Sequence, residues 1–167
     1  MLLSKQSRKN LISELTLDAP SVTEARRLLQ NLHRMEKAGG SSTRCYMVTS
    51  ATRGEGKSTI CALMGIVSAR VFHRRTLVVD GDLHRPTAHQ LLGVSRSPGL
   101  FEAMRGTASI AAVTRATTLP LLSAIPSGHP REALSEWYND EEFDRVLRDV
   151  RTNYDVVFVD APPTVPA

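Results

Sequence analysis

The chain has 167 residues, of which 41% are hydrophobic and 23% are charged, a composition typical of ordinary globular domains. Lys and Arg number 21 against 17 Asp and Glu, so the formal net charge is +4, and the basic residues are spread along the chain. This composition excludes a disordered or fibrous chain. Scattered charge and an aromatic content of only 5% also argue against a nucleic-acid partner.

Membrane and secretory signals are absent from the sequence. No apolar stretch approaches the roughly 18 residues that a membrane-spanning helix needs. The N-terminal residues lack the apolar core and the small-residue cleavage site of a signal peptide. Cys45 and Cys61 are too few for a disulfide framework or a zinc site, so we interpret them as buried thiols. We therefore expect a protein of the reducing cytoplasm.

Residues 1–40 are predicted to form a helical arm. Pro20 interrupts a polar start, and Ser21 and Glu24 have the spacing of a capping box. Apolar residues then recur at helical spacing, namely Val22, Ala25, Leu28, Leu29, Leu32 and Met35. This face is expected to dock on the body of the protein or on a neighbour. Glycine and serine residues at 39–42 predict the end of the helix and a link to a domain of residues 41–167.

The remaining chain alternates apolar strands with helices. Strands are predicted at residues 45–49, 76–80, 121–125 and 155–160. Helices are predicted at 57–72, 100–105, 110–113 and after a cap at Asn139 or Asp140. This alternation indicates a parallel sheet with helices on both faces. We therefore predict an α/β fold of three layers, with a mainly parallel sheet flanked by helices and preceded by the helical arm.

Residues 51–58 match the phosphate-loop pattern, except that Ala51 replaces its first glycine. Gly54 and Gly56 allow the backbone to turn its N–H groups onto phosphate oxygens. Lys57 can then reach the β- and γ-phosphates, and Ser58 can bind Mg²⁺. A polar surface loop would not explain why a strand precedes this segment and a helix follows it. The predicted nucleotide-binding residues are Thr52, Arg53, Gly54, Glu55, Gly56, Lys57, Ser58 and Thr59.

Three aspartates stand at the predicted ends of two strands. Asp80 and Asp82 follow the strand at 76–80, and Asp160 ends the last strand. Ligands of open α/β sheets bind at the carboxyl ends of the strands, so these acids can converge on the phosphate loop. Mg²⁺ prefers one or two carboxylates together with phosphate oxygens and water, which suits this set. The domain therefore has the motifs of a P-loop NTPase-like fold.

These motifs together resemble those of the bacterial protein-tyrosine kinases of capsule and exopolysaccharide synthesis. That family has an acidic motif, Asp-x-Asp-x-Arg, downstream of the phosphate loop, and residues 80–86 occupy its place. The resemblance extends from about Ala19 to the end of the chain. His84 stands where the family has arginine, although Arg85 follows it.

The resemblance is incomplete at both ends. Glu24 and Arg27 match a self-association motif of the family, but Gln30 replaces its second arginine. The family's tyrosine-rich tail is missing, so we expect the acceptor tyrosine to come from another chain or a lost tail. Family domains continue beyond the strand that ends at Asp160, and we therefore expect the domain of residues 41–167 to be truncated.

The resemblance implies phosphoryl transfer from ATP to a tyrosine hydroxyl, with Mg²⁺ as the metal. Lys57 and the loop amides would hold the phosphates, while Ser58, Asp82 and Asp160 would hold Mg²⁺ directly or through water. Asp80 is the preferred group to accept or orient the tyrosine proton, and it could exchange this role with Asp82. The expected catalytic residues are thus Lys57, Asp80 and Asp82.

The resemblance also implies partners. The activator would be the cytoplasmic segment of a membrane polysaccharide co-polymerase, which would bring the protein to the inner face of the plasma membrane. The helix with Glu24 and Arg27 would support homo-oligomers. Two alternatives stay open. A partition- or septum-positioning ATPase would need a lysine where Thr52 stands. A non-catalytic nucleotide-binding regulatory module is compatible with the early end of the chain.

Overall fold

The architecture is taken from a computed structural model that describes residues 10–39, 44–130 and 140–165. Its helices are α1 (Leu11–Glu14), α2 (Pro20–Gly39), α3 (Lys57–Phe72), α4 (Ala88–Leu91), α5 (Leu100–Met104), α6 (Ile110–Val113) and α7 (Asp140–Arg151). Its strands are β1 (Arg44–Val48), β2 (Thr76–Asp80), β3 (Arg115–Ala116), β4 (Leu122–Ile125) and β5 (Val156–Asp160).

The five strands form one sheet in the order β1-β5-β2-β4-β3. The first four of these are parallel, and β3 runs antiparallel to β4. In the register of the sheet, Asp160 pairs with Val48 on one side and with Asp80 on the other. Strands β1, β5 and β2 therefore end at one edge, as the sequence predicted for the candidate site.

The sheet lies between two layers of helices. Alternate residues of a strand point to opposite faces, so Val78 and Phe158 pack on the side of α1 to α4. Leu77 and Val157 pack on the side of α5 to α7. Both β2 and β5 are buried throughout, which explains their unbroken apolar sequences. The predicted three-layer α/β fold is confirmed.

Helix α2 begins two residues earlier than a capping box at Ser21 would place it, because a cap at Ser21 would make Val22 the first helical residue. Its first residue is Pro20, which suits this position because the first turn leaves backbone N–H groups unbonded. The carbonyl of Ala19 accepts from the N–H groups of Val22 and Thr23, so the prediction that Ser21 caps the helix is wrong. The division of the chain at residue 40 stays a prediction.

One face of α2 packs on the body of the protein. Val22, Ala25 and Leu29 are buried in the same cluster as α3 and the sheet. Leu28 and Met35, which belong to the predicted apolar face, are exposed. The buried face is therefore narrower than the pattern of apolar residues suggested, and the helix leaves two large apolar side chains on the surface.

Sequence patterns gave no bounds for three short elements, α1, α4 and β3. The predicted helices at 57–72, 100–105 and 110–113 are present within a residue of their bounds. Strand β4 begins at Leu122 rather than Leu121, whose φ of 66° lies in the left-handed region. The predicted cap Asn139 lies outside the described residues. No helix in the described part of the chain is long and apolar enough to cross a membrane.

Candidate nucleotide and metal site

The phosphate loop connects the end of β1 to the start of α3. Gly54 and Gly56 have φ angles of +83° and +90°, which glycine adopts without the strain that a side chain would introduce. Within the loop, the N–H of Thr52 donates to Glu55 Oε2 at 3.0 Å. Residues 51–55 are exposed. The loop is thus open to an incoming ligand, and the N-terminal end of a 16-residue helix lies behind it.

Close packing against the sheet positions α3. A Cβ on Gly65 would collide with the side chain of Val78, so the helix backbone lies directly on β2. Helix α3 is apolar on nearly all sides because the sheet covers one side and α1 and α2 cover the other. Lys57 and Ser58, at its first turn, are consequently held beside the carboxyl ends of the strands.

Asp80 is a buried carboxyl at the end of β2, and its side chain is completely inaccessible. Its Oδ2 accepts from the N–H of Ala88 at 3.1 Å. Its Oδ1 is buried and has no hydrogen-bond partner among the described residues. Burial, reinforced by the charge of Asp160, raises the pKa of Asp80 to about 7. This site therefore opposes a second negative charge unless a cation accompanies it.

Asp82 forms an ion pair with the lysine of the phosphate loop. Lys57 Nζ donates to Asp82 Oδ2 at 2.7 Å, and the exposed fractions of the two side chains are only 13% and 5%. The N–H of Arg85 donates to Asp82 Oδ1 at 3.0 Å. Burial alone would raise the pKa of Asp82, but the hydrogen bonds from Lys57 and Arg85 lower it. Both residues were predicted for the site, but their direct contact was not.

The segment after β5 runs beside the phosphate loop, which sequence reasoning missed. The N–H groups of Thr164 and Val165 donate to the carbonyls of Ser50 and Ala51 at 2.9 and 3.1 Å. Thr49 Oγ1 donates to the carbonyl of Pro162 at 2.8 Å. The one available signal was the proline pair at 162–163. It favours an extended backbone but does not indicate which segment that backbone contacts. The first residues of the loop are therefore braced by this segment.

The predicted metal ligands offer suitable chemistry for Mg²⁺. A hydroxyl from Ser58 and carboxylates from Asp82 and Asp160 are hard oxygen donors, and all three residues are buried at the same edge of the sheet. The unbonded Oδ1 of Asp80 adds another buried oxygen nearby. Within the described ranges, no group of three or more His, Cys, Asp or Glu side chains could hold a metal alone. These residues fit Mg²⁺ that arrives with phosphate oxygens.

The remaining predicted residues surround this centre. Thr52, Arg53 and Glu55 are exposed at the mouth of the loop, and Thr59 is exposed on α3. Cys61 is buried behind the site, and burial together with the charge of Asp160 raises the pKa of its thiol. The other thiol, Cys45, is half-buried on β1. The roles assigned to the individual site residues stay predictions.

Comparison with known sequences places bacterial kinases among the relatives of this chain. The putative tyrosine-protein kinase EpsB of Ralstonia solanacearum is 30% identical over 165 residues, which cover 98% of this chain and 22% of EpsB. The tyrosine-protein kinase wzc of Salmonella typhi is 30% identical over 117 residues, which cover 70% of this chain and 16% of wzc. The chain thus spans about a fifth of these relatives' length. No family model matches it.

Solved structures give the same result for the fold. The kinase domain of the Escherichia coli tyrosine kinase ETK superposes with a TM-score of 0.82 at 26% identity, covering 95% of this chain and 61% of that domain. MinD of Pyrococcus horikoshii, a septum site-determining protein complexed with Mg-ADP, has a TM-score of 0.65 at 24% identity, with 74% and 51% covered. The second likeness concerns the fold alone.

A phosphate loop at the carboxyl edge of a mainly parallel sheet defines this chain as a phosphate-loop protein of the NTPase-like fold. Within the class, the chain is a homologue of the bacterial tyrosine-protein kinases represented by EpsB and wzc, and its fold is that of their kinase domains.

Proposed function

We propose that this chain is the nucleotide-binding part of an ATP-dependent protein-tyrosine kinase that regulates bacterial exopolysaccharide or capsule synthesis. The observation that carries the proposal is the convergence of Lys57, Ser58 and three aspartates at one edge of the sheet, next to an open phosphate loop. A further relative, the succinoglycan biosynthesis transport protein ExoP of Rhizobium meliloti, supports the polysaccharide context. It is 30% identical over 159 residues, covering 93% of this chain and 20% of ExoP.

The phosphates of ATP would lie against the loop. The backbone N–H groups of the loop and the positive end of α3 would attract the β- and γ-phosphates, and Lys57 would neutralise part of their charge. Bound Mg²⁺ would supply charge neutralisation on the same phosphates. Ser58, Asp82 and Asp160 are the residues that would hold it. Catalysis in this scheme consists of positioning and electrostatic stabilisation.

Asp80 is the proposed group that accepts or orients the proton of the acceptor tyrosine. A carboxyl whose pKa is about 7 is suited to proton transfer near neutral pH. Because Asp80 is fully buried and bonded to the N–H of Ala88, the segment 81–88 must shift before a hydroxyl can touch it. Asp82 stands two residues further on and is the alternative for this role.

We propose that the acceptor tyrosine comes from another chain or from a lost tail. Tyr46 donates its hydroxyl to Glu36 at 2.7 Å beneath α2, and Tyr154 is only partly exposed. Tyr138 lies outside the described residues. For partners, we propose the cytoplasmic segment of a membrane polysaccharide co-polymerase as activator and self-association through α2. Glu24 and Arg27 form an ion pair of 2.9 Å on the exposed side of that helix.

The test is incubation of the purified chain with γ-labelled ATP, Mg²⁺ and a tyrosine-containing polypeptide, with and without the co-polymerase segment. We expect phosphotyrosine, increased by that segment. Lys57→Met should abolish both the product and the binding of Mg·ATP in calorimetry, whereas Arg148→Gln, on the exposed side of α7, should keep both. Equal activity with and without the segment would reject this activator.

The same experiment separates the alternatives. Release of inorganic phosphate without phosphotyrosine would favour a positioning ATPase, although the exposed Thr52 lacks the amine that such proteins use. Nucleotide binding without either product would favour a regulatory module. Unchanged Mg·ATP affinity in Lys57→Met would overturn the assignment of the site itself.

A further inference from the structure

Three basic side chains lie together beyond the end of β4. Strand β4 is parallel to β2, so the chain leaves β4 at the edge of the sheet that carries the candidate site. Arg96 is fixed there, because the N–H of Gly128 donates to its carbonyl at 3.1 Å and its Nε donates to the carbonyl of Gly128 at 3.0 Å. Burial lowers the pKa of His89, and the positive charges of Arg96 and His129 lower it further. We call His89, Arg96 and His129 the basic cluster.

Among the described residues, no acidic side chain forms an ion pair with the basic cluster. In the same part of the chain, the terminal nitrogens of Arg96 and the ring nitrogens of His89 have no hydrogen-bond partner. The nearby carboxylate of Glu102 binds backbone instead: Oε2 accepts from the N–H of Gly99 at 2.7 Å, and Oε1 accepts from the N–H of His129 at 3.1 Å. The side-chain donors of the cluster are therefore available to an anionic group.

The basic cluster lies on the opposite side of Asp80 from the phosphate loop. The loop follows β1, Asp80 ends β2 and the cluster adjoins the end of β4, in a sheet whose order is β1-β5-β2-β4-β3. The end of β4 is thus about 5 Å from that of β2 and about 14 Å from that of β1. His89 also follows Ala88, whose N–H donates to Asp80 Oδ2. A polypeptide that brings a tyrosine hydroxyl to Asp80 would pass over the cluster on one side of that tyrosine.

We propose that His89, Arg96 and His129 form a subsite for the acceptor polypeptide and bind an acidic side chain close to its tyrosine. This inference deepens the proposed function and rests on it for the identity of the acceptor. An extended chain advances about 3.3 Å per residue, so the second or third residue from the tyrosine reaches the end of β4. Arg96 suits this role because the two terminal nitrogens of a guanidinium can bind one carboxylate in parallel.

The first test measures the binding of two fluorescein-labelled peptides, in which a single tyrosine is flanked on both sides by either glutamates or glutamines. Fluorescence anisotropy is recorded with Mg²⁺ and a non-hydrolysable ATP analogue, at about 0.15 M salt to screen distant charges. The glutamate peptide should bind roughly tenfold more tightly than the glutamine peptide. This ratio should fall to near one in Arg96→Gln and fall partly in His129→Ala. Arg148→Gln, which removes a charge from the exposed side of α7, should keep the ratio.

The second test compares phosphorylation of the two peptides as the ratio of their kcat/KM values. This ratio is insensitive to a general loss of active protein, so it remains informative if a variant folds poorly. The glutamate peptide should be preferred by a similar factor, mainly through a lower KM. Arg96→Lys keeps the charge but lacks the planar guanidinium, and it should therefore retain only part of the preference.

The outcomes separate this subsite from the proposed function. Phosphorylation of both peptides with equal affinity and equal kcat/KM overturns the subsite and leaves the kinase proposal standing. A preference for glutamate that neither Arg96→Gln nor His129→Ala reduces also overturns it. Loss of Mg·ATP binding in Arg96→Gln would assign the cluster to the nucleotide and reject the proposal. Selective binding of the glutamate peptide through Arg96, without phosphorylation of either peptide, supports the subsite and overturns the proposed function.

Discussion

Asp80 and Asp160 are register partners at the ends of two neighbouring parallel strands, and both are completely buried. Their proximity raises the pKa of Asp80 beyond what burial alone produces. Most buried carboxyls in a folded protein are stabilised as anions by cationic partners. Here the protein brings two acids together in its interior, which is unfavourable for folding and is an arrangement typical of functional sites.

Replacement of Asp80 by Asn should stabilise the protein at neutral pH. The folded-state pKa of about 7 lies above the ordinary 3.8, so the Asp80 carboxyl lowers the free energy of unfolding progressively as pH rises from about 4 to 7. Asp80→Asn should therefore unfold with a higher free energy than the wild type at pH 8, by at most about 4 kcal/mol, and the difference should vanish below pH 4. Urea unfolding across this range measures it. Asp149→Asn, on the exposed face of α7, should show no such trend.

The same Asp80→Asn variant should separate binding from chemistry. Because Asp80 contacts the N–H of Ala88 and not the phosphate loop, affinity for Mg·ATP should change little. Phosphotyrosine formation should fall below detection, since an amide cannot accept the tyrosine proton. Calorimetry and an anti-phosphotyrosine blot provide the two readouts. A persistent signal on the blot would move the proton-accepting role to Asp82.

Glu36 should affect stability with a pH dependence opposite to that of Asp80: it should stabilise the folded protein at neutral pH and lose this effect in acid. Burial would raise its pKa, but hydrogen bonds from Tyr46, His33 and Arg74 lower it below 4.5. Its stabilising effect is therefore complete above about pH 4.5 and disappears as pH falls through the folded-state pKa. Glu36→Gln should cost about 1–3 kcal/mol at pH 7 and much less at pH 3.

Thermal unfolding between pH 3 and 8 checks the prediction for Glu36. Tyr46→Phe supplies a matched variant, because it keeps the carboxylate but removes one donor, and should show a smaller loss over the same pH range. A Glu36→Gln curve parallel to that of the wild type down to pH 3 would contradict the predicted linkage.

Two adjacent leucines of α2 should differ sharply in their effect on stability. Leu29 is 6% exposed in the core, whereas Leu28 is 47% exposed. Leu29→Ala should lower the free energy of unfolding by about 2–5 kcal/mol, and Leu28→Ala should change it by less than about 0.5 kcal/mol. Chemical denaturation of both variants measures the difference. Similar values would mean that α2 does not pack on the body as described.

Self-association through α2 can be tested at Glu24 and Arg27. Their ion pair is about 70% exposed, so its loss should change stability by less than about 0.5 kcal/mol. Glu24→Ala should nevertheless reduce the oligomer fraction in light scattering if the helix forms the proposed contact. Gln30→Arg, which completes the motif, should increase that fraction. An oligomer distribution that neither change affects would remove this surface from the proposal.

Sequence patterns located the central elements well because the signals for these elements lie within short stretches of neighbouring residues. Strands β2 and β5 are short apolar runs buried on both faces, and the loop before α3 requires glycines at particular positions. Helix α1, of four residues, is too short for any periodicity, and its Asn10 cap was overlooked. Ser21 and Glu24 matched a capping pattern, but a proline stood one position earlier and started the helix.

Contacts between distant residues were beyond the sequence patterns. The strand ends brought Lys57 and the three aspartates to one place, as expected from a parallel sheet. The Lys57–Asp82 ion pair joins residues on different elements, and no local rule chooses that partner over Asp80 or Asp160. The pKa of Asp80 likewise depends on burial and on a neighbour 80 positions away in the chain. The convergence of these four residues was therefore predictable, whereas the partner of Lys57 and the pKa of Asp80 were not.

The segment at 161–165 is hydrogen-bonded directly to the start of the phosphate loop. Its backbone N–H groups donate to the carbonyls of Ser50 and Ala51 at the start of the loop. The other end of the loop continues into α3. A displacement of the chain where it leaves β5 would therefore act on the start of the loop and not on its end at α3. Any contact made by residues 161–165 would thus reach the loop through two of its backbone carbonyls and not through the sheet.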